Sequence, residues 1–172
     1  MPQARPILIK LTSQLIEFAM PNTYSKMYCQ AVFAVKYRKA VIENSFKEKL
    51  YSVIGNLINE TEAKVLLVNG HIDHIHCFFQ FFPKISISEV LKNAKSKSSK
   101  WINESGFLEN RFEWQSGFGS FTYSEKEFSK IYNYVKNQEK HHQKMTFLEE
   151  YRLMLKAHNV DFSPKYLFKE LE

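Results

Sequence analysis

Three times along this chain a serine is followed three residues later by a glutamate beside an apolar run: Ser45 and Glu48, Ser86 and Glu89, Ser124 and Glu127. That spacing is the capping box, in which the two side chains satisfy backbone N–H groups that a first helical turn leaves without partners. The first start leads into Phe46, Leu50, Val53, Ile54, Leu57 and Ile58, all on one helical face. The second opens "SISEVLKNAKSKSSKWI" and the third opens "EKEFSKIYNYVKNQEKHHQ". Around them stand segments of strand character, rich in β-branched and aromatic residues. They are "YSKMYCQAVFAVKY", "AKVLLVNG" ending on a turn-forming Asn69-Gly70, "HIHCFFQFFP" closed by Pro83, and the glycine-bearing "WQSGFGSFTYS". A last amphipathic piece, "TFLEEYRLMLKAHNV", reads as a further helix.

The resulting order, β-α-β-β-α-β-α, predicts an α+β fold: a ferredoxin-like antiparallel sheet with packed helices, plus a C-terminal helical extension. With 172 residues, 44% of them hydrophobic and 15% aromatic, one domain with a real core is expected and wholesale disorder is excluded. Residues 1–20 form a poorly specified extension. Their apolar run is broken by Lys10, Gln14 and Glu17 and is followed by no small-residue cleavage site, so neither a signal peptide nor a membrane span is expected. Cys29 and Cys77 lie in strand-like apolar runs and read as reduced core residues of a cytoplasmic protein, although a disulfide between them stays open. The net charge of +6 favours a polyanionic partner without naming it.

Side chains alternate along a strand, so His74 and His76 share a face, roughly 6–7 Å apart along the chain. Asp73, Ile75, Cys77, Phe79 and Phe81 take the other face, which suits a core. An isolated pair of this kind most often decorates a half-exposed strand. Two imidazoles are also too few for a closed structural zinc site, and no C-x-x-C supplies the rest. An open site with added oxygen ligands better suits Mg²⁺ or Mn²⁺ working on a phosphate. His71 falls in the turn or rim.

The helix after Ser124 separates two tyrosines. Phe128, Ile131, Tyr132 and Val135 fall at i, i+3, i+4 and i+7, the stripe a helix buries, so Tyr132 is structural. Tyr134 points roughly 160° away, at about 100° per residue, and shares a second stripe with Gln138 and His141. That stripe is either a solvated polar face or a reactive one. In the reactive case Tyr134 attacks a phosphodiester while Gln138 lends an oxygen to a metal. A phenol with an ordinary pKa of about 10 then needs an ion or a base beside it.

Asp-His-Ile-His before an apolar strand, then "LKNAKSKSSKWI", "WQSGFGSFTYS" and "YNYVKNQ" together resemble the single-tyrosine HUH transposases of bacterial insertion sequences and their REP-associated relatives. The resemblance runs from about Tyr24 to Gln138, and the piece from Glu139 onward resembles the tail of one subgroup. It implies a catalytic domain over residues 21–143, with 144–172 packed on it as a helical extension. It implies His74, His76 and Gln138 as metal ligands and Tyr134 as the nucleophile that becomes linked to a DNA 5′-phosphate. It also implies a homodimer with joined sheets, and single-stranded DNA with hairpin ends as the substrate. His141 and His142 have no place in that motif.

For DNA contacts, Lys92, Lys95, Lys97 and Lys100 with interspersed serines suit phosphates, and Lys36, Arg38 and Lys39 form a second basic cluster. Trp114, Phe118 and Tyr123 are candidates for base stacking, although aromatics in such numbers more often fill a core. Two competing expectations are a non-catalytic nucleic-acid-binding module of the same fold, which binds without forming an adduct, and an HUH nuclease of replication or plasmid transfer.

Overall fold

A computed structural model describes residues 23–167. The reading of residues 1–20 therefore lies outside the described residues, as does the end of the C-terminal extension from 168. The elements are β1 (Met27–Ala34), α1 (Lys47–Asn59), β2 (Lys64–Gly70), β3 (His74–Phe81), α2 (Ile87–Ser105), β4 (Gly119–Tyr123), α3 (Phe128–Lys136), α4 (Gln138–His142) and α5 (Phe147–Ala157). The strands form one antiparallel sheet in the order β2-β3-β1-β4, the ferredoxin-like arrangement read from the sequence.

Register gives the sheet two distinct faces. Ala31 pairs with Cys77 and Phe33 with Ile75 across the central strands. With Cys29 and Phe79 they face α1 and α2, where Phe46, Leu50, Ile54, Ile58, Leu91 and Ile102 are almost wholly buried. Burying each large side chain of this kind stabilises the fold by about 1.5–3 kcal/mol. Both cysteines are free and buried on this side. On the opposite face Val32 pairs with His76 and Ala34 with His74. There α3 and α5 pack through Ile131, Val135, Phe147, Leu148, Tyr151 and Leu155. The sheet thus places the histidine pair and the lysine-bearing α2 on opposite sides.

Local signals were honoured where packing agreed with them. Ser124 and Glu127 close a capping box on both sides, though it opens a short 3-10 turn ahead of α3. Ser86 caps α2 by accepting from the Glu89 N–H at 3.4 Å. The box expected at Ser45 and Glu48 does not form. Helix α1 starts at Lys47, and the Ser45 hydroxyl turns to Glu43 instead. Phe46 occupies the N-cap, buried and stacked on Phe107 at 5.0 Å, so core packing sets this start. A full box that the sequence reading missed, Thr146 with Glu149, opens α5.

Two elements are shorter than expected. The helix predicted through Gln143 breaks at Asn137, whose side-chain amide donates to the Asn133 carbonyl at 2.7 Å and competes with the backbone ladder. Strand β1 stops at Ala34. Beyond it Tyr37 and Arg38 sit at φ +58° and +52°, the left-handed region that costs a non-glycine residue about 1 kcal/mol or more.

Gly70 ends β2 where the backbone turns back on itself. A Cβ there would stand 2.2 Å from the His74 carbonyl oxygen, which also accepts the His71 N–H at 3.0 Å. Because the obstacle is backbone, Gly70→Ala is expected to cost about 3 kcal/mol in urea denaturation and to shift the start of β3.

Candidate active site

Strand β3 delivers His74 and His76 to the face covered by the C-terminal helices, and both are fully buried. Their rings lie 5.2 Å apart, edge to face. The Asp73 carboxylate accepts from His74 Nδ1 at 2.7 Å, which fixes that ring and leaves Nε2 facing the interior of the site. Asp73 is held in turn by Arg38, through Nη2 at 2.8 Å and Nε at 3.1 Å. Burial alone would raise the Asp73 pKa, but the His74 hydrogen bond and the Arg38 guanidinium bring it down to about 2. Burial lowers His74 to about 4, so its imidazole is neutral near pH 7, as a metal ligand must be.

The tyrosine helix supplies the opposite wall. Tyr132 lies on the packed side, stacked on Phe128 at 5.9 Å. Tyr134 turns to the histidines, its ring 6.1 Å from that of His76 and 5.2 Å from that of His141. The break at Asn137 carries the buried Gln138 inward, with Oε1 3.5 Å from His74 Nε2 and 3.0 Å from His142 Nε2. The four residues read as the core of the site, His74, His76, Tyr134 and Gln138, therefore converge in one place within one chain.

Two further members were not read from the sequence. Glu150, 1% exposed on α5, lies at the centre: its Oε2 is 3.0 Å from His142 Nε2, 3.4 Å from His76 Nε2 and 3.8 Å from His74 Nε2. Its Oε1 accepts from Gln138 Nε2 at 3.0 Å and from the Tyr134 hydroxyl. Burial works to raise the Glu150 pKa, but the surrounding imidazoles hold it well below the usual carboxylate range. His142, also opposed by burial, is raised by its hydrogen bond to Glu150. Burial and the Glu150 carboxylate push the Tyr134 phenol above its ordinary value. The signal for Glu150 lies in its spacing. It falls three residues after Phe147 and four before Met154, a carboxylate on an otherwise apolar stripe.

The residues fit a cation. One donor atom from each of His74, His76, His142 and Glu150 falls within 4.8 Å of the others. His76 Nε2 is buried with no hydrogen-bond partner and stands 3.4 Å from Glu150 Oε2, an oxygen that imidazole nitrogens surround. A divalent cation taking the place of an imidazole proton there would join ring and carboxylate.

The basic residues distribute otherwise. Arg38, expected on DNA, is 7% exposed and committed to Asp73, because a buried carboxylate at the start of the neighbouring strand needs a cation. Lys95 is half-buried, lowered to about 8 by burial, and donates to the Gln115 and Gly117 carbonyls at 2.7 and 2.6 Å. Lys97 pairs with Glu60 at 2.9 Å and Lys100 with Glu104 at 3.7 Å on the exposed surface. Lys92 is exposed. Trp114 belongs to the α1–α2 core and donates to Ser98 Oγ at 2.9 Å.

Two buried histidines facing a tyrosine-bearing helix bring together an imidazole pair and a phenol, and comparison with known proteins gives the chain's family. Residues 23–138 match the family model described as Transposase IS200 like. Over 112 residues the chain is 31% identical to the transposase for insertion sequence element IS200 of Salmonella typhimurium strain LT2, and equally to that of Salmonella typhi. Each alignment spans 62% of this chain and 73% of the relative. The fold is shared with the crystal structure of a candidate transposase from Deinococcus radiodurans (TM-score 0.57, 17% identity, 80% of this chain and 98% of that one). It is shared also with a REP-associated tyrosine transposase bound to a REP hairpin (TM-score 0.54, 13% identity, 83% and 74%). The chain belongs to the IS200-like family of DNA transposases. His142 and Glu150 lie beyond the matched residues. No helix among the described residues is long and apolar enough to cross a membrane.

Proposed function

We propose that this chain cleaves and rejoins single-stranded DNA at the hairpin-bearing ends of a mobile element, through a covalent 5′-phosphotyrosine at Tyr134. The observation that carries the reading is the convergence of the Tyr134 hydroxyl with His74, His76 and Gln138 in one buried site. As the Tyr134 oxygen bonds to phosphorus, its proton leaves and the bond from phosphorus to the 3′-oxygen breaks, giving a free 3′-hydroxyl. The exchange conserves one phosphodiester, so the reverse attack by a 3′-hydroxyl rejoins strands without external energy.

His74 and His76 would hold a divalent cation, with Gln138, His142 and Glu150 as the further donors available around it. When bound, the ion would polarise the scissile phosphate and stabilise charge on its oxygens. A set with several imidazoles takes Mn²⁺ more readily than Mg²⁺, which prefers oxygen. Asp73 orients His74, and Phe147, flat on the His74 ring at 4.2 Å, keeps water from its outer face. Lys92, Lys97 and Lys100, exposed on α2, are proposed to meet the phosphates of the paired hairpin stem. A second copy is proposed to join the sheet at an edge strand, and the cytoplasm is the proposed compartment.

The test uses 5′- or 3′-labelled hairpin-bearing single strands with Mg²⁺ or Mn²⁺. The expected product is an adduct that survives denaturation and carries the strand 3′ of the cut. His74→Ala should lose cleavage by about a hundredfold or more while hairpin binding largely persists, and EDTA should reproduce that pattern. Loss of binding in parallel with cleavage would make the histidine pair structural.

A further inference from the structure

Between α3–α4 on one side and α5 on the other runs a cleft of about 1070 Å³ whose lining includes Tyr134, His141 and Glu150. Three lysines stand along it, Lys130, Lys140 and Lys144, all exposed. None of them has an ion-pair partner within 4 Å among the described residues, in contrast to Lys97 and Lys100 on α2. The acids in the cleft are already occupied. Glu127 accepts from both the Ser124 N–H and the Ser124 hydroxyl at 3.0 Å, and Glu150 is enclosed by imidazoles. The α5 side is apolar, with Leu153 52% exposed beside Met154 and Ala157.

We infer that this cleft is the bed of the unpaired DNA strand that leads to the scissile phosphate. Its occupant as DNA, rather than another polyanion, rests on the transposase reading above. Unpartnered cations lining an apolar channel match a ligand with a charged backbone and flat apolar bases, which is single-stranded nucleic acid. Tyr134 lines the cleft together with the three lysines, so a strand lying in it would pass beside the proposed nucleophile. The lysines of α2 are on the other side of the sheet and cannot serve this segment.

The test measures binding of a fluorescent, unstructured DNA oligonucleotide by anisotropy across a range of salt. For the combined variant Lys130→Gln, Lys140→Gln and Lys144→Gln, the slope of log affinity against log salt should fall by about 2, at about 0.7 per phosphate contact on a single strand. The same exchange at Lys49, Lys64 and Lys165, outside the cleft, controls for lost net charge and should leave most of the slope in place. Leu153→Glu, at an exposed position that should not impair folding, is expected to weaken binding at least tenfold at constant salt. An unchanged slope in the triple variant, or a slope lost equally in the control, overturns the assignment. So does a change of oligomeric state without a change in strand binding, which would make the cleft a subunit interface. If wild-type protein forms the adduct and the slope is unmoved, the strand bed alone fails. If no adduct ever forms and the slope falls as expected, the bed stands and the covalent reading fails.

Discussion

Tyr134→Phe is expected to abolish the covalent protein–DNA adduct and to lower strand cleavage on the order of 10⁴-fold or more, because it deletes the attacking atom and little else. The ring survives, and with it the contacts to the His76 and His141 rings. What goes is the hydroxyl and its hydrogen bond to the buried Glu150 carboxylate, a loss of about 1–3 kcal/mol that leaves folding intact. Burial and Glu150 hold the phenol above its ordinary pKa, so in the proposed reaction it would start protonated and lose its proton as the bond to phosphorus forms. Tyr132→Phe is the matched control, because that hydroxyl belongs to the helix face packed on Phe128. Denaturing gels of labelled strands read both variants. An undiminished adduct in Tyr134→Phe, with loss in Tyr132→Phe, would reverse the assignment of the two helix faces.

The second large effect concerns stability. Arg38→Met should destabilise the fold by about 3–5 kcal/mol in urea denaturation near pH 7, since it leaves Asp73 charged, 4% exposed and without its cation. Lysine is not expected to restore it, because Arg38 spans Asp73 Oδ2 with two donors and lies over the Phe147 ring at 5.3 Å. The pH dependence follows from the direction of the Asp73 shift. Its folded pKa is about 2 against an ordinary 3.8. The associated stabilisation of about 2 kcal/mol is therefore complete above pH 3.8 and is lost as pH falls through 2. His74 lowers Asp73 more than Arg38 does, so the variant should lose only part of this acid dependence. Equal acid sensitivity in wild type and variant would show that Arg38 takes no part in the Asp73 shift.

What the sequence made legible was whatever depends on local period. Alternation along His74–Phe81 assigned the faces of β3, and the helical period separated Tyr132 from Tyr134, both from residues adjacent in the chain. What stayed hidden depends on contacts across the fold. Arg38 reads as surface charge until Asp73, 35 residues away, is brought against it. Lys95 reads as a phosphate ligand until the loop before β4 offers it two carbonyls. Ser45 has the right neighbour for a cap, yet the packing of Phe46 decides where α1 begins. Glu150 and His142 sit beyond the motif that drew the eye. Only the packing of α4 and α5 over the sheet brings them beside the histidine pair.

That packing makes α5 a wall of the candidate site and not an appendage. A version of the chain trimmed before residue 147 would lose both the ring that shields His74 and the carboxylate that meets His76. Engineers seeking a minimal fragment should expect the boundary to fall after α5, past residue 138 where the family-model match stops.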